Sequence, residues 1–159
     1  MNVLLFGSGG RETAFAWKIA QSQLLDELYV APGNPGVLEY GKSVDLKWNN
    51  FNQVKDFCIN KSIDMVIVGP EDPLVLGLAD YFSNTQVLSH IFFIGPKKVG
   101  AQLEGSKDFS KRFMSRHKIP TASYKTFRKD QVKYAVDYLK TVDAPYVLKA
   151  DGLAGGKGV

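Results

Sequence analysis

The sequence predicts an α/β fold in which a parallel sheet is flanked by helices in a Rossmann-like arrangement, followed by the beginning of a second domain. Three observations carry that expectation. Four short apolar runs show no polar alternation, each is separated from the next by a segment of helical pattern or length, and each stops at or beside glycine or proline. Strands that are apolar on both sides belong to parallel sheets covered by helices on both faces.

Val3-Leu4-Leu5-Phe6 is the first run and Gly7 closes it; Ala14, Phe15, Trp17, Ile19, Ala20 and Leu24 then supply a largely apolar helical segment. Leu28-Tyr29-Val30 reads as a second strand, ending in the breaker-rich Ala31-Pro32-Gly33-Asn34-Pro35-Gly36. Phe51, Val54, Phe57 and Cys58 mark a helix face before the clearest strand, Met65-Val66-Ile67-Val68. After Gly69-Pro70-Glu71-Asp72-Pro73 a helix is expected over residues 74–82, and Ile91-Phe92-Phe93-Ile94 is the fourth strand, stopped by Gly95-Pro96. Beyond Pro96 the pattern turns mainly helical, over residues 99–103 and 109–117, with breaks at Gly105 and Pro120. A domain boundary is therefore expected there, dividing the chain into 1–96 and 97–159. A further helix over residues 129–141 carries Val132, Ala135, Val136 and Leu139 at i, i+3, i+4 and i+7, and a strand is expected at Tyr146-Val147-Leu148-Lys149. The glycine-rich stretch after it calls for a returning strand or helix, so the chain is expected to be truncated inside a domain.

With 45% apolar, 12% aromatic and 23% charged residues in 159, the composition is that of a globular chain and excludes wholesale disorder. No apolar run approaches the ~18 residues that span a bilayer, and the N-terminus lacks a basic region and cleavage site. A cytoplasmic location is expected. One cysteine, Cys58, cannot form an internal disulfide, and two histidines without a CxxC pair cannot build an ordinary zinc site. Cys58 reads as a small buried hydrophobe, and neither His90 nor His117 has neighbours suggesting a catalytic triad. The net charge of +4 hides an asymmetry: residues 1–95 carry 6 Lys/Arg against 10 Asp/Glu (−4), and residues 96–159 carry 14 against 6 (+8). A basic block suits nucleic acid or a polyanionic small molecule such as a nucleoside triphosphate. Composition leaves both open.

Gly7-Ser8-Gly9-Gly10-Arg11-Glu12 lies between a strand and a helix, where free N–H groups and the helix dipole favour an anion. The dinucleotide fingerprint G-x-G-x-x-G would need glycine at position 12 and an acid after the second strand, and the sequence has Glu12 and Ala31-Pro32-Gly33-Asn34. NAD binding is set aside in favour of a phosphate or sugar-phosphate site, with a purely structural turn as the alternative. Gly69-Pro70-Glu71-Asp72-Pro73 follows the most buried-looking strand, so its acids fall near the strand ends where open parallel sheets bind ligands; helix-dipole complementarity accounts for them equally well. Gly100-Ala101-Gln102-Leu103-Glu104-Gly105-Ser106-Lys107 mimics a Walker A loop with its last two residues reversed and no strand directly before it, and is rejected as one. Lys107 at a helix start opposes the macrodipole, which points to an anionic partner. Phe109 and Phe113 at i and i+4 read as a core stripe. After Lys149, four glycines and a lysine fall within residues 152–158, a loop able to close over phosphates with backbone donors while lysines supply point charge.

Five motifs, taken together and in order, resemble the phosphoribosylamine-glycine ligase family, also called glycinamide ribonucleotide synthetases. They are Gly7-Ser8-Gly9-Gly10-Arg11-Glu12, Val30-Ala31-Pro32-Gly33-Asn34, Ile67-Val68-Gly69-Pro70-Glu71, Gln102-Leu103-Glu104-Gly105-Ser106-Lys107 and the run from Lys149 through Asp151, Gly152 and Gly155 to Val159. The similarity runs through the whole chain and corresponds to the N-terminal part of such an enzyme, a pre-ATP-grasp N-domain and the beginning of the ATP-grasp domain. Thr13 departs from the pattern, standing where the family usually has histidine. The resemblance implies that ATP phosphorylates the glycine carboxylate and that the amine of phosphoribosylamine attacks the glycyl phosphate, giving glycinamide ribonucleotide, ADP and phosphate in de novo purine biosynthesis. Such chemistry rests on positioning and on charge neutralisation by lysines and Mg²⁺ or Mn²⁺. It further implies that Lys107, Lys149, Gly152, Gly155, Gly156, Lys157 and Gly158 serve ATP, and that Ser8, Gly9, Gly10, Arg11, Glu12, Asn34, Gly69, Pro70 and Glu71 face the sugar phosphate. Catalytic groups and metal ligands are expected beyond Val159, with no metal held within this chain, which alone would be inactive. Partners would be small molecules, with no nucleic acid, membrane or obligate protein partner. Another ATP-grasp ligase or carboxylase, or a non-catalytic nucleotide-binding module, are the competing readings.

Overall fold

The computed structural model describes residues 1–153, and the chain forms two compact units, Met1–Ala101 and Gln102–Val159. The first unit holds β1 (Asn2–Gly7), β2 (Glu27–Pro32), β3 (Lys42–Ser43), β4 (Met65–Val68) and β5 (Phe92–Ile94) in one sheet of order β3-β2-β1-β4-β5. All four pairings are parallel. The four apolar runs are strands, as their lack of alternation required. β3 was not anticipated, because its two exposed residues, paired with Tyr29 and Val30, present no apolar run.

Side chains on β1 divide between two layers. Leu4 and Phe6 enter one core with Val54 and Cys58 of α2 (Phe51–Asn60) and with Leu78 and Phe82. Val3 and Leu5 enter the other with Ala16 of α1 (Gly10–Ile19), Leu28, Val30 and Val37. Thus α1 covers the second face over β1 and β2, while along that face Met65 and Ile67 of β4 are half-buried and their partners Phe92 and Ile94 on β5 are exposed. Asn50 caps α2 by accepting the N–H of Gln53 at 3.1 Å.

The helix expected over residues 74–82 is broken into α3 (Asp72–Leu76) and α4 (Leu78–Asn84). Gly77 between them has φ of 101°, a left-handed conformation that only glycine adopts cheaply. The first helix ends at Ile19, short of Leu24, and Phe15, Trp17 and Leu24 are exposed rather than packed.

α5 (Lys98–Gly105) crosses the division between the units, and Ala101 packs with Leu74 and Ala79. The second unit contains α6 (Lys107–Arg116) and α7 (Val132–Leu139). Residues 146–149, expected as a strand, are not one: among the described residues they have no ladder neighbour, so their backbone groups have no sheet to join, and Tyr146, Val147 and Leu148 are exposed. Val132 and Val136 on α7 are exposed as well, and Phe109 and Phe113 are only half-buried, Phe113 stacking on His117 at 4.4 Å. Among the described residues no apolar side chain after Ala101 is fully buried. Short helices with no sheet to lie on have no second apolar surface for their stripes, which is why periodicity alone mistook these positions for core. No helix among the described residues is long and apolar enough to cross a membrane.

Candidate functional site

Because β2, β1 and β4 are adjacent and parallel, their carboxyl ends and the loops leaving them share one edge of the sheet. The strand order reverses between β1 and β4, so the loop at residues 7–10 and the loop at residues 69–72 flank the topological switch point, where open α/β sheets form their ligand crevice. The loops are tied directly. Gly33 N–H donates to Gly7 O at 3.1 Å, and Gly69 N–H donates to Phe6 O at 3.0 Å. The Asn34 amide donates to Ser8 O at 2.9 Å and to Gly9 O at 3.2 Å, while its oxygen accepts the N–H of Gly36 at 2.8 Å. Thr13 belongs to the same knot, since the Asn34 amide reaches its hydroxyl at 2.9 Å.

Glu12 behaves differently from the other residues predicted for this loop. Its side chain is buried, and Oε2 accepts the Gly9 N–H at 2.7 Å. Oε1 is sealed in with no hydrogen-bond partner among the described residues; the nearest cation is the Arg11 Nε at 3.9 Å. The carboxylate fills space that glycines leave: a Cβ on Gly7 would lie 2.2 Å from Glu12 Cγ, and one on Gly69 would lie 2.2 Å from Oε1. Glu12 therefore braces the β1 and β4 loops from within rather than facing the crevice. Ser8, Gly9, Gly10 and Arg11 are exposed at the start of α1, where first-turn N–H groups lack intrahelical acceptors. Pro70, Glu71 and Asp72 are half-buried on the opposite side of the crevice.

A second cluster lies in the second unit. Ser106 caps α6 by accepting the Phe109 N–H at 3.1 Å. The anionic partner that Lys107 called for at this helix start is internal: Asp151 accepts from Ser106 Oγ at 3.0 Å and from Asp108 N–H at 3.2 Å. Partial burial pushes the Asp151 carboxyl up, but the N–H of Asp108, the Ser106 hydroxyl and the N–H groups of Gly152 and Lys107 outweigh it and hold it below the usual range. The Lys107 ammonium donates to Gly152 O at 2.8 Å. Lys149 is exposed, while Gly155, Gly156, Lys157 and Gly158 lie outside the described residues.

Sequence reading missed a cleft of about 320 Å³ beside Pro32, lined by Asp45, Leu46, Lys47, Trp48 and Asn49. Trp48 in a polar stretch was its one signal. Among the described residues no three His, Cys, Asp or Glu side chains come together to hold a metal ion. They do not fit a Mg²⁺ site, and no step below is routed through one. Cys58 is buried on α2, and burial pushes its thiol up to about 12, so it is no nucleophile near neutrality.

Glycine-bearing loops gathered at the switch point of a doubly wound parallel sheet define the class, a ligand-binding α/β domain. Comparison with known proteins narrows it. A sequence model described as phosphoribosylglycinamide synthetase, N domain, matches residues 1–104, and one described as phosphoribosylglycinamide synthetase, ATP-grasp (A) domain, matches residues 105–159. The chain belongs to the phosphoribosylglycinamide synthetase family. It is 50% identical over 159 residues to the phosphoribosylamine-glycine ligase of Agrobacterium fabrum and 49% identical over 161 residues to that of Escherichia coli; each match covers all of this chain and 36% of the relative. The crystal structure of phosphoribosylamine-glycine ligase from Thermotoga maritima matches with a TM-score of 0.70 at 30% identity, over 99% of this chain and 35% of that one. The chain thus spans just over a third of the length of the relatives it matches.

Proposed function

We propose that this chain is the N-terminal part of an ATP-dependent ligase that joins glycine to 5-phosphoribosylamine, giving glycinamide ribonucleotide, ADP and phosphate in cytoplasmic purine biosynthesis. The observation that carries this reading is the knot at the switch point, where Asn34 and Glu12 hold the β1, β2 and β4 loops in a single crevice. The exposed first turn of α1, with Ser8, Gly9, Gly10 and Arg11, suits the ribose phosphate, because free N–H groups and the positive helix end favour an anion. Asn34, Gly69, Pro70 and Glu71 frame the sugar, and Glu12 supports the loop instead of touching substrate. Lys107, Lys149 and the glycine-rich residues Gly152, Gly155, Gly156, Lys157 and Gly158 serve the ATP phosphates. The substrate-binding part is placed at 1–96 and the nucleotide part from 97 onward. Catalytic groups and the ligands of Mg²⁺ belong to a longer protein.

The competing carboxylase reading shares the basic loop but not the paired loops at Asn34 and Glu71. Glycine-dependent ADP release by the full-length protein tests the proposal. It should require phosphoribosylamine, and the 159-residue chain alone should release none. In the full-length protein, Lys149→Ala should raise the apparent constant for ATP about tenfold or more, since a charge-assisted hydrogen bond is worth about 1.5–3 kcal/mol. ADP release independent of glycine would sink the ligase reading, and unchanged ATP kinetics would remove Lys149 from the site.

A further inference from the structure

We propose that Asp151 is a positioning residue for the phosphate-covering loop, clamping the entry of the glycine-rich segment onto the N-terminus of α6 through Ser106. The inference rests on the ATP-binding role proposed above. Residues 151 and 152 are gripped from two sides by residues about 45 positions earlier in the chain. The Asp151 carboxylate takes the Ser106 hydroxyl at 3.0 Å and 3.2 Å, a single proton shared between two oxygens, and also the Asp108 N–H at 3.2 Å. One residue on, the Gly152 carbonyl takes the Lys107 ammonium at 2.8 Å. A negative side chain on the first turn of an eight-or-more-residue helix is favourably placed against the helix dipole, and α6 has ten. Gly152 itself stands at φ of 89°, so the chain turns sharply at the clamp.

The clamp matters because glycine loops are costly to order. Each glycine following residue 152 loses more backbone freedom on closing over phosphates than any other residue would. Fixing the base of such a loop removes part of that loss before ATP arrives, so the clamp acts on nucleotide affinity rather than on the chemical step. It also keeps the Lys107 ammonium at the mouth of the loop it serves.

The test uses the full-length protein with four variants: Asp151→Asn, Asp151→Ala, Ser106→Ala and Ser106→Thr, together with the double variant Asp151→Asn/Ser106→Ala. The expected result is a rise of about tenfold in the KM for ATP for each of Asp151→Asn, Asp151→Ala and Ser106→Ala, with the constants for glycine and phosphoribosylamine unmoved and kcat within about twofold. Because both side chains act through one contact, the double variant should be no worse than the poorer single, and Ser106→Thr, which keeps the hydroxyl, should behave as the parent. A merely structural role would lower the melting temperature and the active fraction while leaving the KM for ATP alone. That result, or additive effects in the double variant, overturns the proposal. If the unaltered protein itself uses no ATP, the functional reading fails and the clamp's role falls with it; an active parent with indifferent variants fails the clamp alone.

Discussion

Replacing Gly69 by alanine probes the brace beneath the crevice. The new Cβ would stand 2.2 Å from Glu12 Oε1, 2.8 Å from its Cδ and 2.9 Å from its Cγ. The Gly69 backbone is held by its bond to Phe6 O at 3.0 Å, so Glu12 has to give way. Squeezing the two together costs about 1–3 kcal/mol as overpacking. Expelling the carboxylate instead forfeits the bond from Gly9 N–H, a charge-assisted contact worth about 1.5–3 kcal/mol. The protein takes the cheaper route, so the expected loss is about 1.5–3 kcal/mol. In a unit of this size that lowers the melting midpoint by roughly 10 °C. Urea unfolding followed by tryptophan fluorescence is the suitable assay, because Trp17 and Trp48 are the only tryptophans and both lie in the first unit. Glu12→Ala removes the obstacle, so Gly69→Ala added to it should cost almost nothing more, a coupling of about 1–3 kcal/mol. A loss below about 0.5 kcal/mol in Gly69→Ala, or simple additivity in the double variant, would refute the bracing role.

Asn34→Ala should destabilise the first unit by about 1–3 kcal/mol in the same assay, since it strands the Gly36 N–H and frees the Ser8 and Gly9 carbonyls; an unchanged urea midpoint would contradict that. Cys58 should resist thiol reagents at pH 8 in the folded protein and react promptly in urea, because burial holds its thiol near 12. Rapid stoichiometric labelling of the native chain would count against the burial. The Asp151 carboxyl titrates below its unfolded value, so the stability it lends is complete above the ordinary aspartate range near about 3.9 and is lost as pH falls through the lower folded value. The stability gap between parent and Asp151→Asn, followed by circular dichroism, should therefore shrink as the pH falls from 6 to 2, and a constant gap would show that the carboxylate contributes nothing.

Where the sequence carried a long-range signal, the fold was legible. Val3 to Phe6 and Met65 to Val68 are apolar on both faces because both faces are covered, and that fact alone identified a parallel sheet. β3 escaped because two residues hold no period, and the break at Gly77 escaped because the apolar pattern continues across it while the backbone does not. In the second unit the helical stripes of α6 and α7 were real but have no surface to bury them, so pattern overstated burial. The crevice was anticipated from turn chemistry at Gly7, Asn34 and Gly69. The inward direction of Glu12 was not, since only three-dimensional packing shows that two glycines far apart in sequence leave room for one carboxylate.

The two margins of the sheet are unequal, and this decides how it can be extended. At one end β3 is two residues long, and the Lys42 ammonium is engaged by Glu27 at 2.6 Å, a short and charged border that offers little to an incoming strand. At the other end β5 is three residues long and sets exposed Phe92 and Ile94 beside its free backbone groups. Growth of the sheet, whether by a segment of the same polypeptide or by an unwanted neighbour in a concentrated solution, is polarised toward β5, and a lysine at position 92 or 94 is the smallest change that would close that direction as well.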